Sequence, residues 1–264
     1  MAPHIQVKRV EPREIDQLRE LYRQEMNCQI VHDSYHRRGF VDPYVILARG
    51  RTAGYAAVTN GSHPAIPAAT LKEAYLSPAH RSLAHSILRE VITSGRVSQI
   101  EAQSNDTFLM LALFDFAEGI SSDKILFHDA YTTYLTANGV AFRRRTEAAA
   151  TRIFEHRAEP VGDWLLEIGG DVVGTGGFLT HYNPPYGDIY MEVVETRRRQ
   201  GLGSFLVQEL KRVCYEAGYR PAARCNPENV ASRRTLERAG LLPCARILRG
   251  RVRPPNGQSE EADR

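Results

Sequence analysis

The residues best suited to chemistry lie in one passage of the second half, where three arginines lead into a pair of glycines. The passage runs from Arg197 to Ser204 with the sequence RRRQGLGS and precedes a stretch with helical periodicity. The first N–H groups of a helix and the helix dipole attract anions, and glycine allows a phosphate to approach the backbone closely. The spacing therefore indicates a phosphate-binding loop, with a glycine turn and solvated arginines as the alternative.

Two common phosphate loops do not fit this passage. No Gly-Lys-Ser/Thr follows the glycines, so it is not the loop of P-loop nucleotide hydrolases. The dinucleotide-binding pattern G-x-G-x-x-G also fails, because its third glycine would stand at position 206, which is Leu206. The pattern points to the pyrophosphate of another carrier. A small-molecule kinase is a distant alternative, because the loop lacks a metal-binding carboxylate and a lysine.

The strand predicted before the loop, at 188–194, carries the candidate general base. Glu192 lies in mid-strand beside Tyr190, where burial could raise the pKa of the carboxyl and let it act directly or through a water. The alternative is a glutamate that faces solvent. Asp188 and Glu195, at the ends of the same strand, are weaker candidates.

The elements that must position these residues follow from the periodicity of apolar residues. A hairpin at 164–168 and 172–180 precedes the strand at 188–194, and a helix is predicted at 203–217. A strand at 221–225 and a helix at 229–239 complete the set, and two further strands are predicted ahead of it, at 125–128 and 131–136. The sequence thus predicts that the loop lies between a strand and a helix of a mixed α/β domain.

The first half repeats this order of elements. The repeat shows in four pairs of residues at offsets of 120 or 121: Gly50 and Gly170, Gly54 and Gly174, Asn105 and Asn226, Gly119 and Gly240. We interpret it as a domain duplication and predict domains at 1–138 and 139–250, with a disordered tail at 251–264. From 140 to 164 the second copy is shorter than the matching segment of the first, which indicates a lost or shortened helix.

At this point the sequence resembles the GNAT superfamily of acyl-CoA-dependent N-acyltransferases. The family signature, Arg/Gln-x-x-Gly-x-Gly/Ala between the fourth strand and the next helix, stands here as Arg198-Arg-Gln-Gly201-Leu-Gly203. A second family pattern corresponds to Asn229-Val-Ala-Ser232, followed by Ala239-Gly240-Leu241. The resemblance is clear from about 140 to 249 and weak in the first half.

The resemblance implies an α/β fold with an α+β mixed sheet. It implies two tandem GNAT-like domains, each a mostly antiparallel sheet that is splayed between strands 4 and 5 and flanked by helices. Acetyl-CoA would be the co-substrate, its pantetheine arm lying along the fourth strand, and no metal is implied. The residues assigned to acetyl-CoA in this way are Met191, Val193, Val194, Arg198, Arg199, Gln200, Gly201, Leu202, Gly203, Ser204, Asn226, Asn229 and Ser232. Asn226 and Asn229 have helix capping as an alternative role.

The activity implied is transfer of an acetyl group to a primary amine of a small molecule or peptide. Glu192, Tyr190 and Ser232 are the candidate catalytic residues. Many family members have a tyrosine in the last helix as the acid for the departing thiolate, but Leu236 stands at that position. The alternative is a CoA-binding regulatory or interaction protein without turnover, since the first copy also lacks the loop. Aligned on Arg81, its glycine positions become Ala84 and Ser86; aligned on the helix, they become Leu83 and His85.

Composition and charge exclude several classes of protein. Apolar residues make up 42% and charged residues 25%, as in soluble globular chains. A net charge of +3 is too small to predict a nucleic-acid partner. No apolar run is long enough for a membrane span, and no secretory signal is evident, so a cytoplasmic location is expected. Four scattered cysteines favour reduced thiols, and His32 with His36 form at most a weak metal pattern.

The first copy could serve as a scaffold, a substrate wall or the surface of a homodimer.

Overall fold

Two units, each with its own buried core, divide the chain in the computed structural model, which describes residues 4–26, 29, 32–64, 67, 69–180 and 183–254. Unit 1 comprises Met1–Cys28, His32–Asp123 and Arg246–Arg264, and unit 2 comprises Gln29–Val31 and Lys124–Ala245. These units differ from the predicted domains 1–138 and 139–250. Unit 2 begins earlier than the predicted boundary, and unit 1 includes the end of the chain.

The described residues form twelve strands and seven α-helices, which we number in chain order. The strands are β1 (Ile5–Arg9), β2 (Val41–Ala48), β3 (Arg51–Thr59), β4 (Thr70–Leu76), β5 (Gln99–Gln103), β6 (Ala117–Asp129), β7 (Val140–Arg144), β8 (Trp164–Ile168), β9 (Asp171–Leu179), β10 (Tyr186–Val193), β11 (Arg220–Cys225) and β12 (Leu241–Val252). The helices are α1 (Asp16–Met26), α2 (His32–Arg37), α3 (Ala84–Ser94), α4 (Thr107–Phe116), α5 (Glu147–Ala150), α6 (Leu202–Glu216) and α7 (Val230–Arg238).

The two units have the same strand topology. In unit 1, β1 to β4 are antiparallel, β5 is parallel to β4, and the end of β12 is antiparallel to β5. In unit 2, β7 to β10 are antiparallel, β11 is parallel to β10, and the end of β6 is antiparallel to β11. The predicted fold, a mixed α/β sheet present in two copies, is therefore confirmed.

In both units the parallel pair of strands separates soon after it begins. β10 and β11 are in register only over Tyr186 to Asp188, although β10 continues to Val193. In unit 1, the pairing of β4 with β5 is limited to Thr70 and Leu71. The predicted splay between the fourth and fifth strands is confirmed. In unit 2 it leaves one edge of β10 without a strand partner after Asp188 in the part of the chain that the structure describes.

Helix α6 supports the splayed strands of unit 2 from one face. Its buried apolar residues recur at spacings of three and four, from Leu202 through Leu206 and Leu210 to Val213. They pack with Val173 of β9 and Ile189 of β10 in one core. Each such buried side chain contributes about 2 kcal/mol through the hydrophobic effect. The first turn of α6 is thereby held next to the end of β10.

Some predicted elements differ from the structure. Residues 131–136, predicted as a strand, form none, and the predicted strand at 125–128 is the end of the longer β6. The second copy keeps only one helical turn before β8, α5, in agreement with the predicted shortening. Of the predicted tail at 251–264, Arg251 and Val252 belong to β12, and residues 255–264 lie outside the described part. None of the helices described here is long and apolar enough to cross a membrane.

Candidate active site

The arginine-glycine loop has the geometry of an anion site. Gly201 is the N-cap of α6 with φ 81°, a left-handed conformation that glycine adopts without strain. The N–H of Phe205 donates to the carbonyl of Gly201 at 3.0 Å and makes the first hydrogen bond of the helix. The N–H groups of Leu202, Gly203 and Ser204 precede that bond, so they have no acceptor within the helix. They and the helix dipole form a seat for an anion.

Three arginines surround this seat, and they have different tasks. Arg198 donates from Nε to the carbonyl of Val193 at 3.0 Å, which ties the loop to the end of β10. Arg199 is exposed, with φ 62°, and forms no ion pair with any described residue. Arg238, in the last turn of α7, places its Nη2 3.9 Å from where a Cβ on Gly201 would lie. Arg199 and Arg238 therefore carry the charge that an incoming phosphate would meet.

Arg238 was not among the residues predicted from sequence. It lies far along the chain from the glycine loop, and only the packing of α7 beside α6 brings it close. Its one sequence signal is its place in the helix that follows the Asn229-to-Ser232 motif, three residues before Leu241. That signal predicts the helix, but it does not predict that the guanidinium of Arg238 lies on the face next to Gly201.

Gly203 has a different role from Gly201. A Cβ on Gly203 would lie 3.1 Å from Cγ2 of Thr235 and 3.3 Å from Cε of Met191. The side chain of Ser204 donates to the carbonyl of Thr235 at 3.1 Å. The prediction that both glycines serve a phosphate is thus incomplete, because Gly203 is also required for close packing of α6 on α7 and β10.

The free edge of β10 presents alternate backbone groups. The N–H of Val194 donates to the carbonyl of Val173 in β9 at 2.9 Å. Since successive residues of a strand direct their backbone groups to opposite edges, those of Met191 and Val193 lie on the side away from β9. The carbonyl of Val193 already accepts from Arg198. Among the described residues, Met191 and the N–H of Val193 remain available on the splayed edge, whereas the N–H of Val194, whose backbone was also predicted to bind the carrier, is bound to β9.

Glu192 is buried, at 6% exposure, and surrounded by hydrogen-bond donors. Its carboxylate accepts the backbone N–H groups of Arg157, Ala158 and Glu159 at 3.0 to 3.2 Å. Nη2 of Arg198 lies 3.5 Å from Oε1. Burial raises the pKa of Glu192, but the three N–H donors and His156 outweigh burial and hold the pKa below its ordinary value. The expectation of a raised pKa is therefore wrong, and so is that of an outward-facing side chain.

The loop held by Glu192, residues 156–162, is also tied to β9. Nδ1 of His156 lies 2.9 Å from the carbonyl of Glu159, so it carries the proton and donates. Nε2 lies 3.1 Å from the hydroxyl of Thr175, which is fully buried. The same hydroxyl accepts the N–H of Gly162 at 3.2 Å. Glu192, His156 and Thr175 together fix the loop against β9 and β10.

Replacing Glu192 by glutamine is expected to cost about 2 kcal/mol of folding free energy at pH 7, because an amide N–H₂ would face backbone N–H donors. The lowered pKa means that ionised Glu192 stabilises the fold above its ordinary pKa of 4.5 and loses this effect as the pH falls through the lowered value. Urea unfolding of wild type and E192Q should therefore show a difference in stability that narrows on acidification below 4.5.

The matched control is Glu195→Gln, three residues further on. Glu195 is exposed and paired with Arg157 at 2.9 Å, so its loss should cost less than about 1 kcal/mol. Equal stabilities of E192Q and E195Q at pH 7 would contradict the role given to Glu192.

A second carboxylate, Glu159, has the properties expected of Glu192. It is exposed on the fixed loop, and desolvation by its surroundings raises its pKa, with further increases from Asp188 and Glu192. Asp188 lies where β10 and β11 separate and pairs with Arg224 at 3.4 Å. Desolvation, then Asp163, raises the pKa of Tyr190, so its hydroxyl keeps its proton. The site side of β10 is acidic, and sequence spacing did not indicate Glu159.

The candidate residues of α7 are engaged in the fold to different extents. The side chain of Asn229 accepts the N–H of Ser232 at 3.0 Å as the N-cap of α7, and Asn226 accepts from Lys124. The alternative of helix capping therefore applies to Asn229. Leu236 is 5% exposed and belongs to the core of unit 2. Ser232, one turn earlier on the same face, is only half-buried.

The matching loop of unit 1 has lost the anion seat. Arg81 donates from Nε to the carbonyl of Leu76 at 3.2 Å, as Arg198 does to Val193, so the alignment on Arg81 is the structural one. The glycine positions are then Ala84 and Ser86. Ala84 has φ −49°, in the right-handed region, after a 3₁₀ helix from Pro78 to Leu83. The left-handed turn that opens α6 has no counterpart there.

Comparison with known proteins agrees with the geometry. Residues 126–241 match the family model "Acetyltransferase (GNAT) family". No curated protein matches the sequence. A GNAT-family acetyltransferase from Colwellia psychrerythraea is 13% identical with a TM-score of 0.68, covering 94% of this chain and 100% of its own. A GCN5-related N-acetyltransferase from Sphaerobacter thermophilus is 16% identical with a TM-score of 0.61, covering 95% and 96%.

A tandem GNAT protein from the clavulanic acid biosynthesis pathway is 12% identical with a TM-score of 0.54, and the match covers 96% of this chain and 100% of that one. At these identities the similarity concerns the fold. It extends over both units, whereas the family model covers the second. The chain thus has the fold of the tandem GNAT proteins, and its segment 126–241 matches the family model of the GNAT acetyltransferases.

Proposed function

We propose that this protein transfers an acetyl group from acetyl-CoA to a primary amine of a small molecule or peptide, at a site in unit 2. The observation that carries the proposal is the free edge of β10 directly before the anion seat of α6. A carrier with an extended amide arm and a pyrophosphate fits both features, because strand edges bind amides and helix starts bind phosphates.

Within this proposal the chain's own groups have distinct tasks. The N–H groups of Leu202 to Ser204, with Arg199 and Arg238, hold the pyrophosphate. The backbone of Met191 and Val193 binds the pantetheine amides, and a splayed-edge N–H polarises the thioester carbonyl as an oxyanion donor does. This division uses six of the thirteen residues predicted for the carrier and adds Arg238. The six are Met191, Val193, Arg199, Leu202, Gly203 and Ser204.

We assign the general base to Glu159 and a positioning role to Glu192. A general base must be ionised at the working pH, and its pKa must be high enough for it to accept a proton. A raised pKa together with solvent access meets both conditions. Glu159 has both, whereas Glu192 has a lowered pKa and three donors already bound. Glu159 takes one proton of the acceptor ammonium, and the free amine forms the bond to the acyl carbon. The C–S bond then breaks, the nitrogen loses its second proton to become the amide, and the departing thiolate gains one proton.

The thiolate leaves without the tyrosine that many family members have in the last helix. Ser232 and the neutral Tyr190 are the hydroxyl groups of the predicted site that retain protons for it, since Leu236 is in the core. The acceptor is expected to be cationic, because Glu159, Asp188 and Asp163 act together on this side of β10.

The test combines binding and turnover on the full chain. Calorimetric titration with acetyl-CoA should show one site per chain, and a library of primary amines should then yield an acetylated product with release of free thiol. Absence of binding would overturn the proposal. Binding without any acetylated amine would instead favour a CoA-binding regulatory protein, the alternative that the buried Leu236 supports.

A further inference from the structure

Unit 1 contains a cavity that the proposed activity does not use. It has a volume of about 300 Å³ and lies between the start of α1 and helix α2. Its lining is mostly charged: Pro12, Arg13, Asp16, Arg19, Arg23, Asp33, His36 and Arg37. Four guanidinium groups thus face two carboxylates around a space large enough for a small metabolite.

The floor of the cavity, formed by Arg19, Arg23 and Asp33, is held by buried and partly buried ion pairs that reach Glu73 in the core. Glu73 of β4 is fully buried and accepts two hydrogen bonds from Arg19 at 3.0 and 3.1 Å and one from Tyr55 at 2.8 Å. Asp33 accepts from Arg19 at 2.7 Å and from Arg23 at 2.9 Å. These carboxylates already satisfy the two inner arginines, so the floor is preorganised and offers no negative charge to a cation.

The rim differs from the floor. Arg13 and Arg37 are exposed, and Arg13 forms no ion pair within the described part of the chain. His36 also lines the cavity. Its Nε2 lies 3.2 Å from Oε2 of Glu73, while its Nδ1 is buried without a hydrogen-bond partner among the described residues. In the tautomer whose Nε2 donates to Glu73, Nδ1 is an acceptor, so the donors that the rim offers to an anion are its guanidinium groups.

We propose that this cavity binds a small oxyanion, a carboxylate or phosphate group of a metabolite, through Arg13 and Arg37 at the rim. Guanidinium groups match such anions because they donate paired N–H groups in one plane. The site is separate from the anion seat of α6, since every residue that lines it belongs to unit 1. Unit 1, which has lost the left-handed loop, would then retain a binding role of its own.

The test is calorimetric titration of the full chain with citrate and, separately, with inorganic phosphate at constant ionic strength in chloride. Saturable binding is expected, weakened about tenfold or more in R13Q/R37Q. The matched control R38Q/R51Q removes two exposed arginines that do not line the cavity and should bind within twofold of wild type. R13Q alone serves if the double variant has a lowered Tm.

Because the α6 loop could itself take up phosphate, both titrations are repeated in R199E/R238E. Binding that persists there and is lost in R13Q/R37Q supports the cavity; preference for citrate or phosphate identifies the group. Binding lost in R199E/R238E, equal weakening in R38Q/R51Q, or no saturable heat at millimolar titrant would overturn the proposal. None of these results depends on acetyl transfer.

Discussion

The double substitution Arg199→Glu with Arg238→Glu is expected to weaken acetyl-CoA binding about a hundredfold or more. Each charge-assisted contact to a phosphate is worth about 1.5 to 3 kcal/mol, and the new carboxylates repel the pyrophosphate as well. Both side chains are exposed, so the fold should be unaffected. Calorimetry gives the affinity, and the far-ultraviolet circular dichroism spectrum with the Tm shows whether the protein is folded.

The matched control is Arg220→Glu, an exposed arginine of the same unit at the start of β11. The start of β11 pairs with the start of β10, at the opposite end from the loop. Its substitution should leave the affinity within twofold. An R199E/R238E protein that binds acetyl-CoA as tightly as wild type would show that the α6 loop is not the pyrophosphate seat.

Glu159→Gln should lower kcat/KM about a hundredfold at neutral pH while acetyl-CoA affinity stays unchanged. General-base catalysis typically contributes a factor of about 10² to 10⁴. The variant keeps the backbone N–H that Glu192 accepts, so the loop should stay in place. The measurement is steady-state kinetics with the best amine found in the acetylation screen.

The pH dependence separates a base from a merely structural carboxylate. Because the pKa of Glu159 is raised, wild-type kcat/KM should fall on acidification at a higher pH than an ordinary carboxyl would give. This acidic limb of the pH profile, the decrease in kcat/KM at low pH, should be absent in E159Q. A raised carboxyl pKa also means that the ionised form opposes folding above that pKa, so E159Q should be as stable as wild type or slightly more so.

Glu155→Gln is the control, since Glu155 is exposed and precedes the same loop. It should retain both the activity and the acidic limb. If E159Q also retains them while E192Q loses turnover with acetyl-CoA affinity intact, then Glu192 is the base after all, and the environment of its carboxylate changes when substrate binds.

The elements of the site were predictable because their signals are local. A helix start is encoded by glycines and by apolar residues at spacings of three and four, so α6 lies within one residue of the predicted 203–217. The duplication appears as pairs of residues at constant offset. The failed strand at 131–136 marks the limit of this approach, because β propensity favours a strand only where a partner strand is available.

The sequence by itself determined the order of strands and helices, the duplicated architecture, and the loop where a phosphate can meet a helix start, since each depends on neighbours along the chain. Only the tertiary structure decided the chemistry of the carboxylates. Glu192 meets N–H donors from residues 157–159, and these reverse the expected direction of its pKa. Arg238 beside Gly201 and the charged cavity of unit 1 were decided in the same way. A pKa or a binding seat depends on which groups converge in space, and spacing along a strand cannot show what covers its face.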